Sequence, residues 1–389
     1  MKLSEDLQIR RMCVQNALRR TGAEACLLSV GVNLYYMTGS LFGGYFYLPA
    51  EGEPVVFVKR PNDFKAGDEV VFIRKPEQIA EYFASQGRAL PRKLLLETDE
   101  VPYNECLRLQ AVFGSPETGN ATLLLRQARM IKTPWEIEQF RLSARQHAKT
   151  YSEIASCFRK GMTDVAFQAE IERRMRLNGS FGIFHAFGPN MDIFMGSLLA
   201  GANAEAPSPY DFALGGHGLT PLCPIGANGT ALEDGMAIMV DMVGNYTPYL
   251  TDMTRVFAVG ELPEPAYRAH RTSQTIQEIV MQTARPGVSC AALYELAMAE
   301  VEKEGLTDCF MGTRQQAKFV GHGIGLQINE PPVLTPRSNE ELQMNMVFAL
   351  EPKFVIPGTG AVGIENSFLV TATGLEKITR FEEDIIVLQ

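Results

Sequence analysis

No two of the seven cysteines in this 389-residue chain are spaced Cys-x-x-Cys; Cys13, Cys26, Cys106, Cys157, Cys223, Cys290 and Cys309 are scattered and odd in number. That argues against a disulfide framework and fits a reducing compartment better. No apolar run reaches the ~18 residues that suggest a membrane span. The amino terminus, MKLSEDLQIRRM, is charged from its start and lacks the apolar core of a signal peptide. A soluble, cytoplasmic protein is the expectation. Basic runs are absent as well, and with a formal net charge of −9 nucleic acid and anionic membrane are poor partners. Short-period repeats and low-complexity tracts are missing. Gly43-Gly44 and the later glycine pairs lack the strand–GxGxxG–helix setting of a nucleotide fingerprint.

What is present is an ordinary globular composition, 46% hydrophobic and 21% charged, long enough for two domains. Ser4 can cap a helix running to about Arg20, with Gly22 as its stop signal. The runs ACLLSV, NLYYMTG, YFYLPA, PVVFVKR and KLLLET then read as strands, giving a smaller α/β domain over residues 1–125. Thr133-Pro134-Trp135-Glu136 opens a firm helix by N-cap, Pro at the first position and capping box. Apolar residues continue at helical spacing to Gly161, and a second helix starts after Thr163. Residues 126–389 are expected to form an α+β domain, with the junction just ahead of Thr133 and helices near 264–284 and 289–304.

Two strand pairs in that second domain carry the chemistry. AIMVDMV and LTDMTRVFAV flank one turn, MVFALEPKFVI and GAVGIENSFLVT another. Asp241 and Asp252 interrupt the arms of the first pair, Glu351 and Glu365 those of the second. A lone buried carboxylate costs several kcal/mol unless it is paired or binds metal. Four of them on two hairpins, ~5 Å apart across strands, can share cations. His322, in Gly321-His322-Gly323-Ile324-Gly325, adds an imidazole whose glycine neighbours permit a tight turn and leave it open. One imidazole with four carboxylates suffices for two divalent ions: Mn²⁺ first, with Co²⁺, Zn²⁺ or Fe²⁺ also suited.

The segments VDMVGNYTPYLTDMTRVFAVG, GHGIGLQINEPPVL and ALEPKFVIPGTGAVGIENSFLVT resemble the metal-binding strands of the pita-bread metallopeptidases. The smaller first domain and the linker ARMIKTPWEIEQFR are similar to the aminopeptidase P, prolidase and creatinase branch. The resemblance implies a creatinase-like amino-terminal domain and a pita-bread catalytic domain. It implies that Asp241 chelates one metal, His322 binds the other, Asp252 and Glu365 bridge, and Glu351 binds beside His322 and shuttles protons. A metal-bridging hydroxide would then cleave the Xaa-Pro bond at the amino terminus of short peptides or dipeptides. A homodimer is implied too, and Phe42, Gly43, Gly44 and Tyr45 could reach a neighbouring subunit's site or form a plain turn.

Three positions depart from that pattern. Asn329 stands seven residues after His322 where a second His is usual, and Gly363 stands two before Glu365 where an Arg is usual. The His expected ahead of Asp241 aligns with Pro224, leaving His217 as a candidate catalytic residue from the loop Gly215-Gly216-His217-Gly218. Asn329 cannot take up a proton near neutral pH. These changes keep open a same-fold hydrolase or lyase acting on a non-peptide small molecule. A non-catalytic binding protein is the weakest alternative, because all five ligand residues are present. Blander expectations stand beside these: a salt bridge from Arg255 to Asp252 in place of metal binding, a cap or solvated role for Glu330 as much as one supporting the metal ligands, packing or surface positions for His147 and His270, and a core position for His185 rather than one lining the pocket.

Overall fold

The computed structural model describes residues 2–188, 193–210 and 212–389, and the chain divides into two compact units. The first comprises Met1–Arg129 with Thr133–Trp135; the second comprises Met130–Lys132 with Glu136–Gln389.

In the first unit, helix α1 (Leu3–Thr21) is capped by Lys2 rather than Ser4 and stops at Gly22, whose φ of 68° suits a residue without Cβ. It is followed by β1 (Ala25–Leu28), α2 (Gly31–Thr38), β2 (Gly43–Pro49), β3 (Val55–Arg60), β4 (Glu69–Phe72), α3 (Gln78–Ser85), β5 (Lys93–Leu96), α4 (Tyr103–Val112), β6 (Glu117–Asn120) and α5 (Thr122–Met130). The strands form one mixed sheet in the order β4-β3-β2-β1-β5-β6, so four of the five expected strands are strands. NLYYMTG is not: it forms most of α2. Glu97 explains the difference. Its buried carboxylate accepts from the backbone N–H of Ser29 and Val30 and from Asn33 Nδ2 at 2.6–2.9 Å, capping α2 from a distant strand end. Gly43 and Gly44 open β2 rather than a turn, and a Cβ on Gly44 would lie 2.0 Å from the Phe57 carbonyl oxygen.

The second unit takes α6 (Pro134–Ile154) from Glu136 onward and then α7 (Asp164–Leu177), the latter capped by the Thr163 hydroxyl accepting from Ala166 N. Strands β7 (Gly196–Ala200), β8 (Met236–Gly244) and β9 (Thr251–Val259) precede α8 (Glu264–Thr283) and α9 (Cys290–Lys303). Then come β10 (Gly321–Gly323), β11 (Glu330–Leu334), β12 (Val347–Leu350), β13 (Lys353–Ile356), β14 (Gly360–Gly363), β15 (Asn366–Val370), β16 (Leu375–Lys377) and β17 (Ile386–Leu388). They form sheets ordered β17-β9-β8-β7 and β11-β10-β12-β15-β16, plus the pair β13-β14. Helices α8 and α9 pack Ala269, Ile276, Val280, Leu293 and Val301 against Val256, Phe348, Leu350 and Phe368 of these strands. Among the described residues, no helix is long and apolar enough to cross a membrane.

The second expected hairpin is bent. β12 pairs with β15 and β13 with β14, and the break on each arm falls at a glutamate: Glu351-Pro352 on one, Ile364-Glu365 on the other. Pro352 has no N–H to give a ladder, so the pairing lapses where the carboxylates must turn inward.

Candidate metal centre

Two hairpins and one short strand deliver the cluster, all within the second unit. On β8 and β9 the register pairs Asp241 with Thr254 and Val243 with Asp252, so the two aspartates share a face as diagonal neighbours. β10 lies beside β12 with His322 opposite Ala349, and the backbone N–H of Glu351 donates to Val320 O. Glu365 accepts from the Thr254 hydroxyl at 2.7 Å and is carried next to β9. The structure therefore brings Asp241, Asp252, His322, Glu351 and Glu365 together around one point.

His322 Nε2 lies 3.3 Å from Glu351 Oε1 and 4.0 Å from Asp252 Oδ2. Ligand atoms of Asp252, His322 and Glu365 all fall within 4.8 Å of one another, a spacing that one cation can span. Asp252 Oδ1 and Glu365 Oε1 are buried and face no hydrogen-bond donor. Buried carboxylate oxygens without donors fit ligation by a hard or borderline cation.

A sixth residue joins them. Lys353 Nζ sits 2.8 Å from Asp241 Oδ2, 2.8 Å from Glu351 Oε2 and 3.0 Å from Glu365 Oε2, with its side chain 1% exposed. Sequence reasoning missed it, although a lysine flanked by Pro352 and Phe354 in an apolar strand was a visible signal. The charges explain the protonation pattern. Burial pushes Asp252 up to about 7, with Asp241 adding to the effect. Burial and then Asp252 raise Glu365 well above the carboxylate range. Against burial, Lys353 and His322 hold Glu351 down at about 2. Burial also opposes protonation of His322, but Glu351 outweighs it and pushes the imidazole up to about 10.

Arg255 does not bridge to Asp252. It donates to the carbonyls of Thr254, Glu365, Phe381 and Glu382 and to Asn366 Oδ1, holding the Glu365 backbone against β9. The glycines of the His322 loop answer to crowding rather than to turning. A Cβ on Gly321 would meet Ala349 O at 2.4 Å, on Gly323 Pro331 O at 2.1 Å, and on Gly325 the Glu330 carboxylate at 2.3 Å. Glu330 itself is fully buried in a 2.9 Å ion pair with Lys132, neither a cap nor solvated.

His217 is not brought to the cluster. Its backbone N–H donates to Asn203 Oδ1, its side chain is exposed, and it does not line the cavity above the carboxylates. Hydrogen bonds Gly226 N to Gly215 O and Gly218 N to Gly226 O fold the loop back on itself and leave His217 outside. His185 is exposed rather than in the core, while His147 and His270 are buried packing residues. Asn329 does line the cavity, but its Oδ1 accepts from Phe187 N and its Nδ2 donates to Phe187 O, each at 2.7 Å. That cavity of about 150 Å³ has Asp241, Asp252, His322, Glu351 and Glu365 at its polar end and walls that include Phe184, Ile193, Leu214, Val243, Phe319 and Val333.

Comparison with known proteins agrees with this architecture. Residues 10–131 match the creatinase/prolidase amino-terminal domain and residues 138–372 match metallopeptidase family M24. An uncharacterized peptidase of Bacillus subtilis is 24% identical over 383 residues, covering 96% of this chain and 99% of its own. An Xaa-Pro dipeptidase of Pyrococcus horikoshii is 23% identical, with 94% and 95% covered. Among solved structures, a prolidase from Pyrococcus horikoshii superposes with a TM-score of 0.79 at 20% identity, covering 97% of this chain and 99% of that one. An X-Pro aminopeptidase from Thermotoga maritima gives 0.79 at 22% identity, with 95% and 99% covered. With a pita-bread second unit that carries a carboxylate–imidazole cluster, and a creatinase-like unit ahead of it, the chain belongs to metallopeptidase family M24.

Proposed function

We propose that this chain is a metal-dependent exopeptidase that hydrolyses the bond between an amino-terminal residue and a following proline in short peptides. The observation that carries it is the set of Asp252, His322, Glu351 and Glu365 at the end of a small apolar cavity. Asp252, His322 and Glu365 would hold a divalent ion, Mn²⁺ being the first to try. When bound, that ion would supply a Lewis acid for the carbonyl and lower the pKa of a water. Glu351, whose Oε2 accepts from Lys353 Nζ, would accept the water's proton at a carboxylate oxygen and pass it to the departing proline nitrogen. Apolar walls exclude bulk water and give a pyrrolidine ring a surface to pack on. As in the dimeric members of its branch, we expect the chain to work as a homodimer, which light scattering would check.

Purified protein reconstituted with Mn²⁺ should cleave Xaa-Pro dipeptides or tripeptides and spare controls without proline. A chelator, or Asp252→Ala, should remove both the bound metal and the cleavage. A second reading has its own support: both amide atoms of Asn329 bond the Phe187 backbone, and Gly363 offers no charge to a substrate. Stoichiometric metal with no peptide cleaved would favour that reading, a same-fold hydrolase or lyase of another small molecule.

A further inference from the structure

An ammonium group has three hydrogens, and Lys353 spends each on a different carboxylate: Asp241, Glu351 and Glu365. Three oxygens converging on one positive centre form a cation cradle, here filled by the chain itself. The other oxygens of the cluster are placed differently. Asp252 Oδ1 and Glu365 Oε1 face no donor, and Asp252 and Glu365 form with His322 the one group of residues, among those described, whose ligand atoms lie close enough to hold an ion. The cluster thus contains a cradle with an internal cation and a neighbouring cradle without one. We infer that Lys353 stands in for one of two metal ions, so that each chain binds a single divalent ion between Asp252, His322 and Glu365 and none beside Asp241. This rests on the reading that the centre binds metal at all.

Space, charge and mobility support it separately. A second ion beside Asp241 would compete with Nζ for Asp241 Oδ2 and Glu365 Oε2, both already at hydrogen-bond distance from it. Ions approach such oxygens to ~2.0–2.2 Å, which would press a divalent charge against the ammonium in a poorly screened interior. With all four carboxylates ionised and His322 neutral, as ligation requires, the lysine and one divalent ion leave a single negative charge, and a second divalent ion would leave the buried cluster net positive. The backbone that carries the lysine is held in place as well. Met311 N donates to Lys353 O at 2.8 Å, and β13 is paired with β14 at Lys353 opposite Gly363. Gly363 is packed so closely there that a Cβ on it would lie 3.0 Å from Lys353 Cα.

The test is a metal count on the full chain. Protein reconstituted with excess Mn²⁺ and freed of unbound ion should retain about one Mn²⁺ per chain by mass spectrometry. Its electron paramagnetic resonance spectrum should be that of an isolated Mn²⁺ ion. Lys353→Gly removes the ammonium and its stem, and should raise the count to about two with an exchange-coupled pair signal. A wild-type protein holding two coupled ions would overturn this inference and leave the peptidase reading intact. A wild-type protein holding none would overturn both. An unchanged count in folded Lys353→Gly would show that the lysine is not what excludes the second ion. Should that variant fail to fold, the wild-type count and spectrum decide alone.

Discussion

Lys353 and Gly363 face each other across a two-stranded ribbon, and together they illustrate what a single residue hides or reveals in a sequence. The family resemblance leads one to expect a fixed positive charge at 363; the charge is instead carried by its register partner. The four carboxylates of the cluster were legible because carboxylates breaking apolar strands are costly and therefore conspicuous. Lys353 was not, because a strand lysine reads by default as a solvated edge residue. His147 makes a separate residue-scale prediction. It is fully buried, Nδ1 meets the Thr251 hydroxyl at 3.0 Å, and burial, then Arg255, pushes its pKa down to about 3. A histidine that must stay neutral when folded but protonates when unfolded costs stability on acidification. Its contribution is intact above the unfolded value of about 6.5 and is lost progressively as pH falls toward about 3, by an amount of order several kcal/mol. Urea unfolding of His147→Gln against wild type should show a shallower fall in stability over that window; identical slopes would refute it.

Helices and hairpins with strong periodicity were read in the right places, and elements that depend on distant partners were not. Helix α2 looked like a strand because Tyr35 and Tyr36 favour one within a short apolar run, and the buried Glu97 that caps it lies far away in sequence. The bend at Glu351-Pro352 was likewise invisible, since MVFALEPKFVI reads as one continuous arm. At this scale the segment 325–330 offers a test. Glu330 accepts from Leu326 N and Gln327 N and pairs with Lys132 at 2.9 Å, with neither side chain exposed by more than 1%. Lys132→Met removes the ammonium from beside a buried carboxylate and should destabilise the protein by roughly 3–5 kcal/mol. Adding Glu330→Gln should recover much of that loss, measured by denaturant unfolding. Additive losses in the double variant would show that the pair is not coupled.

Across the molecule, composition and motif order made the two-unit plan and the family legible, while β7 and the described loops around it were not. Glycines, prolines and asparagines there carry no period, and the close packing depends on contacts such as Asn203 with Gly226 that no local pattern announces. Metal binding has a whole-molecule consequence. An ion present at 100 times its Kd stabilises the state that binds it by about 2.7 kcal/mol. Hydrogen exchange should therefore slow in β8, β9, β12 and β15 on adding Mn²⁺, with much less change in β3 and β4. Uniform or absent slowing would argue against a centre built from those strands. The internal ammonium bears finally on how such an enzyme would be inhibited. Warheads designed to straddle two neighbouring metals would lose one anchor here and grip weakly. Compounds that bind a lone ion and fill the apolar cavity beside it would make a better starting library, and selectivity over enzymes built on paired ions would come with them.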